Sequence, residues 1–189
     1  MKKHRRFIPV LVGTVLLQEG NGSTTCLSTS STSISTDSAS CSAIDMFGGL
    51  TNANSGATSS ATITLKNIGT ISTSALTLTP SACAQAANTA TSPYSGSSTT
   101  FCSDVWITIE NDTTSGSPSC VYGGTAGAAC PAPSSTYDLS TLGASSAITL
   151  PGLAPGATAT YKFTLELSPT ASNADQGLTA TVPLSWMLQ

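Results

Sequence analysis

Thr160-Tyr-Lys-Phe-Thr-Leu-Glu-Leu167 sets Tyr161, Phe163, Leu165 and Leu167 on one side of the chain and Thr160, Lys162, Thr164 and Glu166 on the other. Successive side chains of an extended chain point to opposite faces, so this alternation predicts a strand with one buried face. The same period recurs outward from it. Toward the N-terminus, Ala147 to Leu150 is a short apolar run followed by a turn at Leu153-Ala-Pro-Gly156. Toward the C-terminus, a loop at Ser172 to Gly177 leads into Leu178, Ala180, Val182, Leu184, Trp186 and Leu188. That unbroken inward face predicts a central or edge-pinned strand. Pro183, on its opposite face, has no N–H to give a neighbour and predicts an edge or a bulge at that point.

Earlier in the chain, Ala61, Ile63 and Leu65 alternate with Thr62, Thr64 and Lys66 before a stop at Asn67-Ile-Gly69. Leu76 and Leu78 alternate with Thr77 and Thr79 before Pro80, and Val105, Ile107 and Ile109 alternate with Trp106, Thr108 and Glu110. Residues 23 to 60 are Ser/Thr-rich around a small apolar island at Ile44 to Leu50, and residues 81 to 100 and 111 to 133 read as long loops. Loops of that length usually carry function or are stapled. No amphipathic helix is legible after residue 22. The fold class expected is therefore all-β: a single antiparallel β-sandwich with long disulfide-stapled loops, occupying residues 23–189.

Composition agrees. Charged residues are only 8% of the 189, and mean hydropathy is +0.16 with 39% apolar residues, which sets the chain apart from the hydrophilic, highly charged disordered class. The abundant Thr suits strands, where branched side chains fit a pleated surface.

Four of the six basic residues, Lys2, Lys3, Arg5 and Arg6, precede the apolar run Phe7 to Leu17. A basic block followed by an apolar run of this length is the pattern of an export signal, and the run is too short to span a bilayer, which takes about 20 residues. Residues 1–22 are thus expected to be a short helical signal peptide or membrane-proximal export segment, although Gln18 to Ser23 has no clear small-x-small cleavage pair. Without those residues, two basic and eight acidic side chains remain, a net charge of −6. Such a surface repels phosphate backbones and anionic lipids, so neither nucleic acid nor, after export, a membrane is an expected partner.

Six cysteines follow: Cys26, Cys41, Cys83, Cys102, Cys120 and Cys130. An even number behind an export signal reads as a disulfide framework of an oxidising, extracellular compartment. Six cysteines allow 15 pairings. Neighbour pairing is favoured here because each successive pair brackets a Ser/Thr/Gly/Pro stretch. Zinc is disfavoured, since there is no C-x-x-C and the sole histidine is His4.

The same lone histidine argues against an enzyme. Serine and cysteine nucleophiles need a general base, and no histidine follows the head to serve as one. Nor is there a G-x-S-x-G, phosphate-loop or dinucleotide motif. Asp37, Asp45, Asp104, Glu110, Asp112, Asp138, Glu166 and Asp175 show no spacing that pairs two carboxylates across a cleft, and read as solvated surface charges. Glu110-Asn-Asp112 offers oxygen ligands but lacks the spaced acidic loop of a calcium site. Asn21-Gly-Ser23 and Asn111-Asp-Thr113 match the N-glycosylation triplet. Trp106 and Trp186 can stack on sugars, but strand tryptophans more often pack inward. No catalytic, cofactor or metal residue is assigned.

Two stretches carry a family likeness: Thr62-Ile-Thr-Leu-Lys-Asn-Ile-Gly69 through Ala75-Leu-Thr-Leu-Thr-Pro80, and Leu153-Ala-Pro-Gly-Ala-Thr-Ala-Thr-Tyr-Lys-Phe-Thr-Leu165 with Asn173-Ala-Asp-Gln-Gly177. They resemble the TasA/camelysin family of secreted bacterial matrix proteins over some 60 to 80 residues. The resemblance implies a jelly-roll-like sandwich that forms extracellular fibres, a homopolymer in which each subunit lends an N-terminal strand to the next. The chain departs from the family in its six cysteines and in Thr24 to Ser42, which reads as a poor strand donor. The metallopeptidase label attached to camelysin has no histidine motif here to rest on. Two other readings stand beside it: a monomeric secreted module with glycan or matrix contacts through its long loops, and a pilin-like subunit that keeps its apolar head.

Overall fold

Alternation over Thr158–Leu167 produces a ten-residue strand in which Ala159, Tyr161, Phe163, Leu165 and Leu167 are all buried. It stands at the middle of the chain's largest sheet. The computed structural model describes residues 55–67, 72–87, 96–114 and 116–188, together with the strand backbones of 17–21, 24–27 and 34–35.

In chain order the strands are β1 (Leu17–Asn21), β2 (Thr24–Leu27), β3 (Ile34–Ser35), β4 (Thr58–Asn67), β5 (Ala75–Pro80), β6 (Ala84–Ala87), β7 (Val105–Asn111) and β8 (Ser119–Tyr122). They continue as β9 (Ile148–Pro151), β10 (Thr158–Leu167), β11 (Leu178–Thr181) and β12 (Leu184–Leu188). Two single-turn helices, α1 (Phe101–Asp104) and α2 (Leu139–Gly143), and a 3-10 turn at Asn173–Asp175 interrupt them. The fold is mostly β, and among the described residues every strand pairing is antiparallel. One sheet runs β2-β1-β4-β10-β7-β8, a second β3-β12-β5-β9, and a third pairs β11 with β6.

The core is a single apolar cluster fed by both larger sheets. Ile63 and Leu65 of β4, Ile107 and Ile109 of β7 and Phe163 of β10 meet Leu76 and Leu78 of β5, Leu150 of β9 and Trp186 of β12. The Tyr161 and Trp186 rings join the two sheets at a centroid distance of 5.3 Å. Burying a side chain such as Phe163 contributes about 1.5–3 kcal/mol.

The two stretches quoted for the family likeness meet at one corner. Asn67, fully buried at the end of β4, donates from Nδ2 to the Leu153 carbonyl at 2.9 Å and from its backbone N–H to Ala157 at 3.0 Å. The Gly156 N–H donates back to the Asn67 carbonyl at 2.7 Å. Gly156 has φ +75°, a conformation that costs glycine nothing and other residues a good deal.

Several expectations need correction. Residues 81–100 and 111–133 are not simply loops, since they hold β6 and β8. Helices do follow residue 22, each one turn long. The alternation over residues 178–188 does not make one strand: β11 and β12 lie in different sheets, and the break falls at Val182-Pro183, where Pro183 has no N–H to continue a ladder and its carbonyl instead accepts from Ser81 at 2.9 Å. Of the expected export head, residues 1–16 lie outside the described residues, while Leu17–Asn21 is β1, paired with β2 and β4. Within Thr24 to Ser42 the described residues are those of β2 and β3.

Candidate functional site

A sheet edge is a row of backbone donors and acceptors with nothing to bind, so how a β-protein treats its edges decides whether it associates. At the β7 side of the large sheet, β8 covers only the end of the strand: Asn111 pairs with Ser119, Glu110 with Cys120 and Ile109 with Tyr122 across a bulge. Further along, the returning chain takes over. Ile107 N–H donates to the Tyr137 carbonyl at 2.8 Å and Trp106 bridges to Asp138.

β8 is covered in turn. Cys120 N–H donates to Ala128 at 2.5 Å and Gly127 N–H to the Cys120 carbonyl at 3.2 Å, while the Cys120–Cys130 disulfide closes the loop with its Cα atoms 4.6 Å apart. Glu110 accepts from the Cys130 N–H at 3.3 Å and lies 3.8 Å from the Lys162 ammonium of β10. Asp138 starts α2 with a capping box: its carboxylate accepts from Thr141 N–H at 2.7 Å, and Thr141 Oγ1 accepts from the Asp138 N–H. Tyr122 then reaches α2 through a hydroxyl contact to Thr141 at 3.0 Å and stacks edge-on against Tyr137.

The opposite side is built differently. There β4 is flanked by β1, with Leu17, Gln18, Glu19 and Gly20 opposite Asn67, Lys66, Leu65 and Thr64, and β2 lies beyond. Six residues separate β2 from β3, which belongs to the other sheet and meets only Ser185 and Trp186 of β12. A short N-terminal segment therefore supplies strands to both sheets. The far edge of the second sheet is β9, which ends in Pro151, a residue that cannot donate to an incoming strand.

Among the cysteines, Cys83 and Cys102 form a second disulfide, Cα atoms 6.2 Å apart, that ties the approach of β6 to α1. Gln85 reinforces it, accepting from Cys102 N–H at 3.3 Å and donating to Ser98 at 2.7 Å. Cys26 stands in β2 opposite Glu19, whereas Cys41, and with it the expected Cys26–Cys41 pair, lies outside the described residues. Two disulfides indicate an oxidising, extracellular-type environment. Among the described residues no helix is long and apolar enough to cross a membrane.

The carboxylates are used structurally. Asp175 caps the 3-10 turn by accepting from the Ser172 N–H at 2.8 Å. Burial, with Asp175 and Asp138 nearby, raises the Asp104 carboxyl above its ordinary value. Asp37 and Asp45 lie outside the described residues. Glu110 of the Glu110-Asn-Asp112 motif is engaged by Lys162 and Cys130, and among the described residues no three acidic, Cys or His side chains gather around a metal-sized space. Trp186 is fully buried, and Trp106 is half-buried on the outward side of β7.

One cleft, of about 250 Å³, opens at the end of the molecule where β7 leaves and β10 enters. Thr113, Thr114, Ser117 and Ser119 form one wall and the chain from Pro151 to Leu153 the other, with Ala159 and Tyr161 behind. It went unnoticed in the sequence because its walls are some 40 residues apart and carry no charged or histidine side chain. Compared with models of known protein families and with curated proteins, the chain matches none.

Proposed function

We propose that this chain is a structural protein of the cell surface or extracellular matrix, a filament subunit that assembles by β-strand addition. Its two larger sheets are read as the layers of a jelly-roll-like sandwich of the TasA/camelysin kind, exported and without enzymatic activity. The observation that carries the reading is the N-terminal segment, which lends β1 to the edge of β4 and β3 to the edge of β12. Strands supplied from outside the main body of a sandwich can be exchanged for the same strands of a neighbour, because backbone pairing does not depend on which chain provides it.

Export gives the exchange a trigger. Cleavage near residue 22 takes β1 away from the edge of β4 along Thr64 to Lys66, a slot that residues 24–35 of the next subunit can enter. The test is electron microscopy and light scattering of three proteins: the full chain, a chain starting at residue 23, and that shorter chain lacking residues 24–35. Filaments from the second alone are expected. A chain starting at residue 23 that stays monomeric at high concentration, or polymerises equally well without residues 24–35, defeats the proposal.

A further inference from the structure

The cleft at the β7/β10 end has a feature that strand addition does not use. Tyr161 is 1% exposed, with its ring held against Trp186, yet it forms part of the cleft lining. Among the described residues its hydroxyl has no hydrogen-bond partner, and it is not among the side-chain atoms sealed from solvent. Burial alone pushes the phenol up to about 12, which keeps it a proton donor at any physiological pH. A donor with no partner in the protein is left for whatever acceptor enters beside it.

The walls narrow the choice of acceptor. On one side stand the amide of Asn111 and the hydroxyls of Thr114, Ser117 and Ser119. Asn111, also in the lining, is held by Thr113, whose N–H and hydroxyl both donate to its Oδ1 at 3.1 and 2.5 Å. Thr113 is fixed in turn by accepting from Thr160 N–H at 2.9 Å. The facing side is apolar: Pro151, Gly152 and Leu153. No lining residue is charged, so nothing compensates a phosphate, carboxylate or ammonium brought out of water. The volume falls short of the roughly 300–1,000 Å³ typical of drug-sized ligands.

We infer that this cleft binds a single neutral sugar ring, with the Ser/Thr/Asn wall meeting its hydroxyls, the Pro151–Leu153 wall its C–H face, and Tyr161 donating to one of its oxygens. The experiment is saturation-transfer NMR on the oxidised protein with a panel of methyl glucoside, methyl mannoside, methyl galactoside and N-acetylglucosamine, and glucuronate as the charged control. Transfer to at least one neutral pyranoside is expected, and not to glucuronate. Tyr161→Phe, which deletes a hydroxyl with no internal partner, should fold normally and weaken binding about tenfold, the loss of one hydrogen bond. Ser117→Trp, an exposed change that fills the mouth, should abolish it. The inference fails if no pyranoside binds at millimolar concentration, which leaves a water-filled cleft, if glucuronate binds better, or if both variants bind as the parent does.

Discussion

The two sides of the large sheet end in opposite ways. Beyond β7, the chain closes its own edge with β8, a disulfide, a capped helix and the backbone of Tyr137, all drawn from residues 119–143. Beyond β4, closure comes from β1 and β2, at the far end of the sequence and held by backbone pairing. The contrast shows where association is blocked and where it is allowed. An edge closed by a short covalent loop cannot trade its cover for a neighbour's, whereas one covered by a distant N-terminal strand can.

The comparison breaks most visibly if the covalent cover is removed. Replacing Cys120 and Cys130 together by Ser should cost about 2–3 kcal/mol for a loop of this size, read as a lower midpoint in a urea titration, and should let β8 associate into amorphous aggregate. An unchanged midpoint would mean that backbone contacts alone hold that edge. Asp138→Ala removes the capping box that anchors the returning chain and should cost about 1 kcal/mol by the same titration, with faster amide exchange at Ile107, whose N–H bonds to Tyr137.

The smallest effect is electrostatic and sits at the same corner. Asp104, half-buried near Asp175 and Asp138, has a folded pKa above its ordinary 3.8. The folded state therefore holds that proton more tightly than the unfolded state. Stability from this group rises as pH falls from the raised value toward 3.8 and is flat below. Asp104→Asn should flatten the slope of melting temperature against pH in that window and raise the melting temperature at neutral pH. A slope unchanged from the parent would mean that the acidic corner is fully screened.

The long strands were legible because one-sided burial writes a period of two into the sequence: β10, β4 and β7 each appear as alternation with the buried face correctly placed. β6 and β8 were not, because Ala-Gln-Ala-Ala and Ser-Cys-Val-Tyr are too short to show a period of burial. α2 left a trace in Asp138 and Thr141 at capping-box spacing, but Thr in place of the usual Glu or Gln hid it. Pro183 was read as an edge or bulge signal, and it marks a change of sheet. Neither the open and closed edges nor the cleft could be read in advance, since strand order is a property of tertiary pairing.

The position of β12 has a consequence for how the protein is made. Trp186, with no solvent exposure, comes from the strand nearest the C-terminal end, and that strand lies between β3 and β5. Until Leu184–Leu188 has emerged, the second sheet lacks an interior member and the core its largest side chain. The residues before it consequently cannot lock into the final form by themselves. A keystone drawn from so far along the sequence keeps everything before it open to rearrangement until the whole of the described fold can close together.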